Sequence, residues 1–282
     1  MLASAEIDES RLDAYAFASR KTPEYMHYRL ISCPSCDLLY ASPSPSAAAL
    51  AAAYRDAAYG SSEEARFAAN TYVELLAGVL GRLPDRAGAL DIGAGDGAFL
   101  EELLALGFTD VSGVEPSEAP IAAAREDVKP LLRRGLFAAK DFSAGSFSLV
   151  TSFQTLEHVD DPLGVCRDAF SLLKEGGAAV FVCHNRRALS ARILGFKSPI
   201  FDIEHLQLFS PASAWFLLER AGFTDIRVRP IWNRYPLHYW LRLLPLPPSW
   251  KEPLMAAAKA SGFGHWTIAL PAGNLAAIGF KP

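Results

Sequence analysis

The sequence predicts an α/β fold built on a strand–helix–strand unit, and three observations predict it. Ala89, Leu90 and Ile92 form an apolar strand that runs into the turn Gly93-Ala94-Gly95-Asp96-Gly97. Helical spacing of apolar residues follows, from Ala98 through Leu106. A second strand, Val111 to Val114, then ends in Glu115, 18 residues after Gly97. That is about the spacing at which an acid reaches ribose hydroxyls in a βαβ unit. The glycines let the backbone turn sharply and bring its N–H groups close to a ligand. The helix start adds unpaired N–H groups and a positive dipole end. The stretch points to a nucleoside cofactor.

Composition narrows the classes. The chain of 282 residues has room for one large α/β domain and a small addition. Hydrophobic residues make up 51%, which supports a sizeable core and argues against disorder. The net charge of −4 argues against a nucleic-acid partner held by phosphate contacts. The stretch Met1 to Arg11 is acidic and lacks the apolar core of a signal peptide. No apolar run is long enough to span a membrane. Four cysteines do not make a disulfide scaffold in a chain of this size, so a reducing cytoplasm is expected.

The remaining elements follow in order. Cys33-Pro34-Ser35-Cys36 has the spacing of one zinc-ribbon knuckle. The second pair is missing, because Cys166 falls in an expected helix and Cys183 in an expected buried strand. A structural zinc needs four ligands, so a hairpin with two reduced thiols and no metal is expected. Ser42 to Ser46, with two prolines, is a stiff boundary. Helices are expected over Ala47–Tyr59 and Glu63–Leu83, the latter with Ser61 and Glu64 as a capping box. Pro116 to Arg125 reads as a helix, Leu131 to Arg133 as a short third strand, and Ser146 to Gln154 as a fourth. Asp161-Pro162 opens a helix running to Leu173, with Pro at its first position. Gly176 and Gly177 then turn the chain into a fifth strand, Ala178 to Cys183. Ser210 caps a helix closed by Gly222, and Thr224 to Ile231 is a sixth strand. Pro236 to Leu244 is apolar and aromatic with flanking cations. It is suited to cover a substrate, rest on a membrane surface or pack on the sheet, and packing is favoured.

Two cofactor classes fit the glycine turn. Gly93-x-Gly95-x-x-Ala98 satisfies the dinucleotide fingerprint formally. Against that, Asp91 and Asp96 would repel a pyrophosphate, whereas a cofactor with a cationic end favours them. LDIGAGDGAFL resembles the first motif of class I S-adenosylmethionine-dependent methyltransferases of the small-molecule type, and GVEPS resembles their second. Leu156-Glu157-His158-Val159 is similar to their fourth-motif region. The resemblance covers about residues 70 to 282. It implies a doubly wound, Rossmann-like sheet of seven strands, six parallel and one antiparallel, with Asn274–Phe280 as an antiparallel strand at the edge. Residues 1–70 are expected to form an N-terminal cap with lid helices. Residues 71–282 form the methyltransferase domain, with insertions at about 186–210 and 232–260.

The resemblance also implies roles. Asp91, Gly93, Ala94, Gly95 and Gly97 face the methionine end of S-adenosylmethionine, and Glu115 takes both ribose hydroxyls. Pro116, Phe137 and Gln154 complete the cofactor site. Where the family often has an acid near adenine, this sequence has Leu136 and Phe137, so apolar contact with the base is expected. Tyr54 and Tyr59 either reach the methionine end from the lid or form an aromatic helix face packed on the core. His158 and His205 are the candidate general bases, with His184 third, because histidine titrates near neutral pH. The implied reaction moves a methyl group to an oxygen, carbon or nitrogen of a sugar-like or secondary-metabolite acceptor. The alternatives are an NAD-dependent oxidoreductase and a cofactor-binding protein without catalysis.

Overall fold

The computed structural model describes residues 3–8, 10, 17, 23–55, 59–244 and 246–282. A hairpin of β1 (Leu30–Ser32) and β2 (Leu39–Ala41) precedes helices α1 (Ala47–Arg55) and α2 (Ser62–Leu76). β3 (Ala89–Ile92), α3 (Ala98–Ala105), β4 (Val111–Glu115), α4 (Glu118–Ala123) and β5 (Leu132–Arg134) form one half of the main sheet. β6 (Phe147–Phe153), α5 (Pro162–Leu172) and β7 (Leu173–His184) open the other. A first insertion carries α6 (Leu189–Leu194) and β8 (Gln207–Leu208). After α7 (Pro211–Ala221) and β9 (Thr224–Pro230), a second insertion holds β10 (Asn233–Pro236), α8 (Leu237–Leu243), α9 (Pro248–Ala260) and β11 (Thr267–Leu270). β12 (Asn274–Phe280) completes the sheet.

The seven strands run in the order β5-β4-β3-β6-β7-β12-β9. β3 pairs in parallel with β4 on one side and β6 on the other, so the strand order reverses there. β12 is antiparallel to both β7 and β9. It therefore lies inside the sheet, and Thr224–Pro230 takes the edge where the last strand was expected. The seven residues of β12 are all buried, while those of β9 are mostly exposed. An interior strand must be apolar on both faces, and Asn274-Leu-Ala-Ala-Ile-Gly-Phe280 is so apart from its first residue.

Two cores lie on opposite faces of the sheet. One packs α2, α3 and the aromatic residues of β10 and α8, including Tyr235, Tyr239 and Trp240, against β3, β7 and β12. The other packs α5 and α7 beneath the same strands, around Leu90, Phe181 and Phe209. The Pro236–Leu244 segment thus packs on the sheet, as favoured. Its partners β11 and α9 extend the second insertion beyond residue 260. α2 runs unbroken through residue 70 and packs on α3.

Local expectations fare differently. Asp161 caps α5, its carboxylate accepting from Gly164 N–H at 2.9 Å. Ser210 and Ser213 form a reciprocal capping box on α7, and Gly222 closes that helix at φ 105°. Ser61 makes no side-chain cap on α2. Glu64 accepts instead from Arg242 Nη2 of α8 at 2.9 Å, so a tertiary ion pair displaces the box. α2 stops at Leu76, before Gly78 and Gly81, both poor helix formers. α4 covers only part of the expected Pro116–Arg125 helix. Residues 56–58 of the expected first lid helix lie outside the described residues. The Gly176-Gly177 turn is a bulge inside β7, because pairing jumps from Phe147↔Leu173 to Leu149↔Ala178. Ser148 stands where the family commonly has Asp, and its hydroxyl reaches the carboxylate of Asp85, which Lys174 also binds at 2.8 Å.

The N-terminal hairpin docks on the first insertion. β2 pairs with β8 through Leu39↔Leu208 and Tyr40↔Gln207. Leu30 and Leu39 pack with Ala191, Ile200, Phe201 and Leu208. Asp37, in the hairpin turn, pairs with Arg186 and Arg187, which hold its carboxyl well below the usual range.

Glu157 ties this insertion to the sheet. Its backbone carbonyl accepts Leu206 N–H at 2.8 Å, and its fully buried side chain accepts His184 N–H. Burial pushes its carboxyl up to about 8. A carboxyl with a raised folded pKa stabilises the fold below its unfolded pKa, near 4.5, and loses that contribution as pH rises through 8. The melting temperature of Glu157→Gln is therefore expected to fall less than that of the wild type between pH 5 and pH 9. Equal slopes in differential scanning fluorimetry would exclude the buried proton. On α7, Ser210→Ala is expected to cost about 1 kcal/mol, read as a lower urea midpoint with unchanged slope.

Candidate active site

A cavity of about 560 Å³ opens at the carboxyl ends of β3, β4 and β6, where the strand order reverses. This is where open α/β sheets bind ligands. Of the residues named from the sequence, Asp91, Gly93, Ala94, Gly95, Glu115, Pro116, Phe137, Gln154, His158 and His205 all line it. Leu136, Tyr54, Tyr59 and His184 line it too. Gly97 does not. It is the left-handed N-cap of α3 at φ 76°, and a Cβ there would meet Val128 Cγ1 at 2.5 Å. Its glycine serves the packing of the turn, not the cavity wall.

At one end of the cavity stand three buried carboxylates: Asp91 of β3, Asp96 of the glycine turn and Glu115 at the end of β4. None has a cationic partner among the described residues. Asp91 Oδ1 accepts from Thr151 Oγ1 at 2.7 Å, and burial pushes the carboxyl up to about 7. Glu115 is held by two backbone donors, Gly95 N–H to Oε2 and Ser117 N–H to Oε1, both at 2.9 Å. Burial raises its pKa, and these N–H groups oppose the rise. Each oxygen keeps a further lone pair, so the carboxylate is oriented and still able to accept two hydroxyls. Gly93, at φ 80°, closes the turn against β6, where a Cβ would strike Thr155 Oγ1 at 2.2 Å. Gln154 ends β6 in a left-handed conformation, φ 52°, while its N–H donates to Val182 O at 2.6 Å. Strain of this kind is found where a tertiary contact fixes a site residue.

Buried carboxylates without cations are costly unless a cationic ligand meets them. A pyrophosphate would add like charge. S-adenosylmethionine, with its ammonium and sulfonium, fits the donor set. Leu136 and Phe137 offer the apolar surface expected beside a base.

At the other end three imidazoles stand in a row. The His158 and His205 ring centroids are 5.0 Å apart, and those of His205 and His184 4.6 Å. Each ring pairs its Nδ1 with an oxygen: Glu204 O for His158 at 3.0 Å, Ile200 O for His205 at 2.9 Å, and Asn274 Oδ1 for His184 at 2.8 Å. A carbonyl oxygen only accepts, so each of these Nδ1 atoms donates through its N–H. The Glu204 carboxyl flanks the first two, 3.9 Å from His158 Nδ1 and 3.8 Å from His205 Nε2. Burial lowers the pKa of His184. The His205 side chain is 6% exposed and ties down its own insertion, whereas that of His158 is 17% exposed. Tyr54 packs edge-on against His158, with centroids 5.6 Å apart.

Sequence reasoning missed Glu204 and the pair Asn274 and Asn233. Glu204 adjoins His205 in the string Asp202-Ile203-Glu204-His205, and an acid next to a candidate base was the available signal. Asn274 carried none, since it reaches His184 only through the pairing of β12 with β7. Cys33 and Cys36 are free thiols at the hairpin turn. Among the described residues, no group of three or more His, Cys, Asp or Glu is disposed to hold a metal ion.

A family model described as a methyltransferase domain matches residues 64–228. The ubiquinone biosynthesis O-methyltransferase of Nitrosococcus oceani is 36% identical over 169 residues, 52% of this chain and 70% of that protein. That of Thiobacillus denitrificans is 38% identical over 108 residues, 36% of this chain and 46% of that protein. The match therefore spans only about half the length of some of these relatives. Among solved structures, a SAM-dependent methyltransferase from Archaeoglobus fulgidus shares the fold. Its TM-score is 0.52 at 18% identity, over 78% of this chain and 97% of that one. A SAM-dependent methyltransferase from Thermotoga maritima, described as a possible histamine N-methyltransferase, has a TM-score of 0.51 at 21% identity, over 77% and 91%. With the matched domain, the sheet order and a cofactor end suited to a cation together, the chain belongs to the class I S-adenosylmethionine-dependent methyltransferase family.

Proposed function

We propose that this enzyme transfers the methyl group of S-adenosylmethionine to a hydroxyl oxygen of a small acceptor, with His158 as the general base. The observation that carries this reading is one continuous cavity lined both by buried carboxylates without a cationic partner among the described residues and by three imidazoles. When bound, the sulfonium supplies an electrophilic methyl group and its own leaving group. The protein's residues do the rest. Asp91 and the turn Gly93-Ala94-Gly95 hold the methionine end, Glu115 the ribose, and Pro116, Leu136 and Phe137 the adenine, with Gln154 at the end of β6. His158 Nε2 takes the acceptor's hydroxyl proton, and the Glu204 carboxylate stabilises the imidazolium that results. Positioning and exclusion of water contribute the larger share of the rate.

The names of the relatives favour oxygen over carbon or nitrogen as the acceptor atom. The acceptor wall is largely apolar, with Tyr235, Tyr239, Trp240, Leu243 and Ala272. That lining favours a secondary metabolite with an apolar body over a sugar-like acceptor. Family membership sets the NAD-dependent alternative aside. A non-catalytic role is tested by labelled methyl transfer into a panel of hydroxylated acceptors. Free thiols in the described cysteines fit a reducing, cytoplasmic setting.

Two variants test the assignments. Glu115→Gln keeps the shape and loses the charge, and hydrogen bonds to a charged group are worth about 1.5–3 kcal/mol each. Its affinity for S-adenosylhomocysteine is expected to fall at least about tenfold by calorimetry, with the melting temperature retained. His158→Ala is expected to lower kcat by about 10²–10⁴-fold and leave that affinity unchanged. A normal kcat removes His158 from the mechanism, and weakened cofactor binding makes its role architectural.

A further inference from the structure

Both insertions carry exposed apolar side chains that the proposed chemistry does not use. On α9, Trp250 is 72% exposed, and Leu254 stands one helical turn further on, also exposed. Phe263 and Trp266 stack edge to face at 4.7 Å, and Trp266 is 64% exposed. Trp232 precedes β10 and is exposed as well. On α6, Leu189 and Ile193 point outward, 69% and 73% exposed. Single exposed apolar residues are ordinary, but three tryptophans on one insertion are not.

The surface is firmly built. The Trp266 carbonyl accepts Leu237 N–H at 2.9 Å, and His238 Nδ1 pairs with Gly264 O at 2.9 Å, fixing the loop after α9 to α8. The two insertions meet at Gly273, whose carbonyl accepts Asn185 N–H at 2.7 Å and whose Cβ position abuts Ser190 Oγ. They also share the mouth of the cavity. Ser190 and Leu194 line it from the first insertion, and Leu244 and Leu270 from the second. Leu244 and Leu270 are exposed as well as cavity-lining, so the apolar surface runs into the mouth.

Its charge is opposite to that of the chain. Residues 186–201 carry four cations and no acid, and residues 229–271 five cations and one acid, in a chain of net charge −4. Arg186, Arg187, Arg234 and Arg242 are held in ion pairs. Arg192, Lys197, Arg229, Lys251 and Lys259 have no acidic partner among the described residues. Exposed aromatic side chains on segments rich in cations without an acidic partner match the headgroup zone of an anionic bilayer, where rings sit at the polar boundary and each nearby cation adds attraction. No described helix is long and apolar enough to cross a membrane, which leaves surface docking as the mode. We propose that the face formed by the two insertions docks on anionic lipid bilayers and presents the cavity mouth to the membrane surface.

The test is sedimentation of the full chain with large vesicles, and it does not depend on methyl transfer. The protein is expected to pellet with vesicles of phosphatidylcholine containing phosphatidylglycerol, at least about tenfold better than with phosphatidylcholine alone, and to be released by high salt. Trp250→Ala with Trp266→Ala is expected to abolish pelleting while S-adenosylhomocysteine affinity and melting temperature hold. Arg192→Glu with Lys259→Glu, which removes no apolar contact, should weaken pelleting about as strongly and serves if the tryptophan variant folds poorly. Trp215→Ala on α7, an exposed tryptophan on the opposite sheet face, should bind like the wild type. Wild-type protein left in the supernatant, or equal binding to neutral vesicles, overturns the proposal. So does a dimer, or a complex with single-stranded RNA, that forms without vesicle binding and is lost in the tryptophan variant.

Discussion

Everything at this site depends on β3 pairing with β4 on one side and β6 on the other. Parallel strands need crossover connections, and the crossover from β3 to β4 runs opposite to the one from β6 to β7. A crevice opens where they part, and three chain segments deliver their carboxyl ends to it. The glycine turn, Glu115 and Gln154 are those ends. None of their roles survives without the pairing, because the Glu115 carboxylate is aimed by N–H groups of the turn after β3 and of Ser117. Backbone hydrogen bonds, more than side-chain packing, place the cofactor end.

The acceptor end is built differently. It lies beyond β6 and β7, and its walls come from segments foreign to a minimal doubly wound sheet. The hairpin of β1 and β2 clasps the first insertion through β8 and through Asp37 with its two arginines. The first insertion brings Glu204 and His205 against His158. The second supplies aromatic surface and is anchored on α2 by Arg242 and Glu64. A conserved kind of sheet thus carries an acceptor pocket made of additions, which suits a family that shares a methyl donor and varies the acceptor.

The sequence was legible where a signal is local. The glycine turn, the acid after the second strand, the caps Asp161 and Ser210, and the closing Gly222 all act within a few residues of themselves. Ten of the eleven named site residues line one cavity, and Gly97 departs because its glycine answers to Val128, a contact no spacing reveals. Long-range pairing was not legible. The interior position of β12, the β10–β11 ribbon and the Arg242–Glu64 pair that displaces the Ser61 capping box are all set by partners far along the chain. A net charge of −4 likewise concealed two cationic insertions within an acidic remainder.

The antiparallel register of β12 against β7 sets Asn274 opposite His184. Asn274 Oδ1 accepts a hydrogen bond from His184 Nδ1–H, and its amide N–H group donates to Asn233 at 3.4 Å. One imidazole's tautomer is thus settled by the strand synthesised after every other part of the cavity. The cofactor crevice is framed by β3, β4 and β6, whereas the third histidine is oriented from β12, far along the chain. The cofactor end and the acceptor end are therefore fixed by different strands of one sheet.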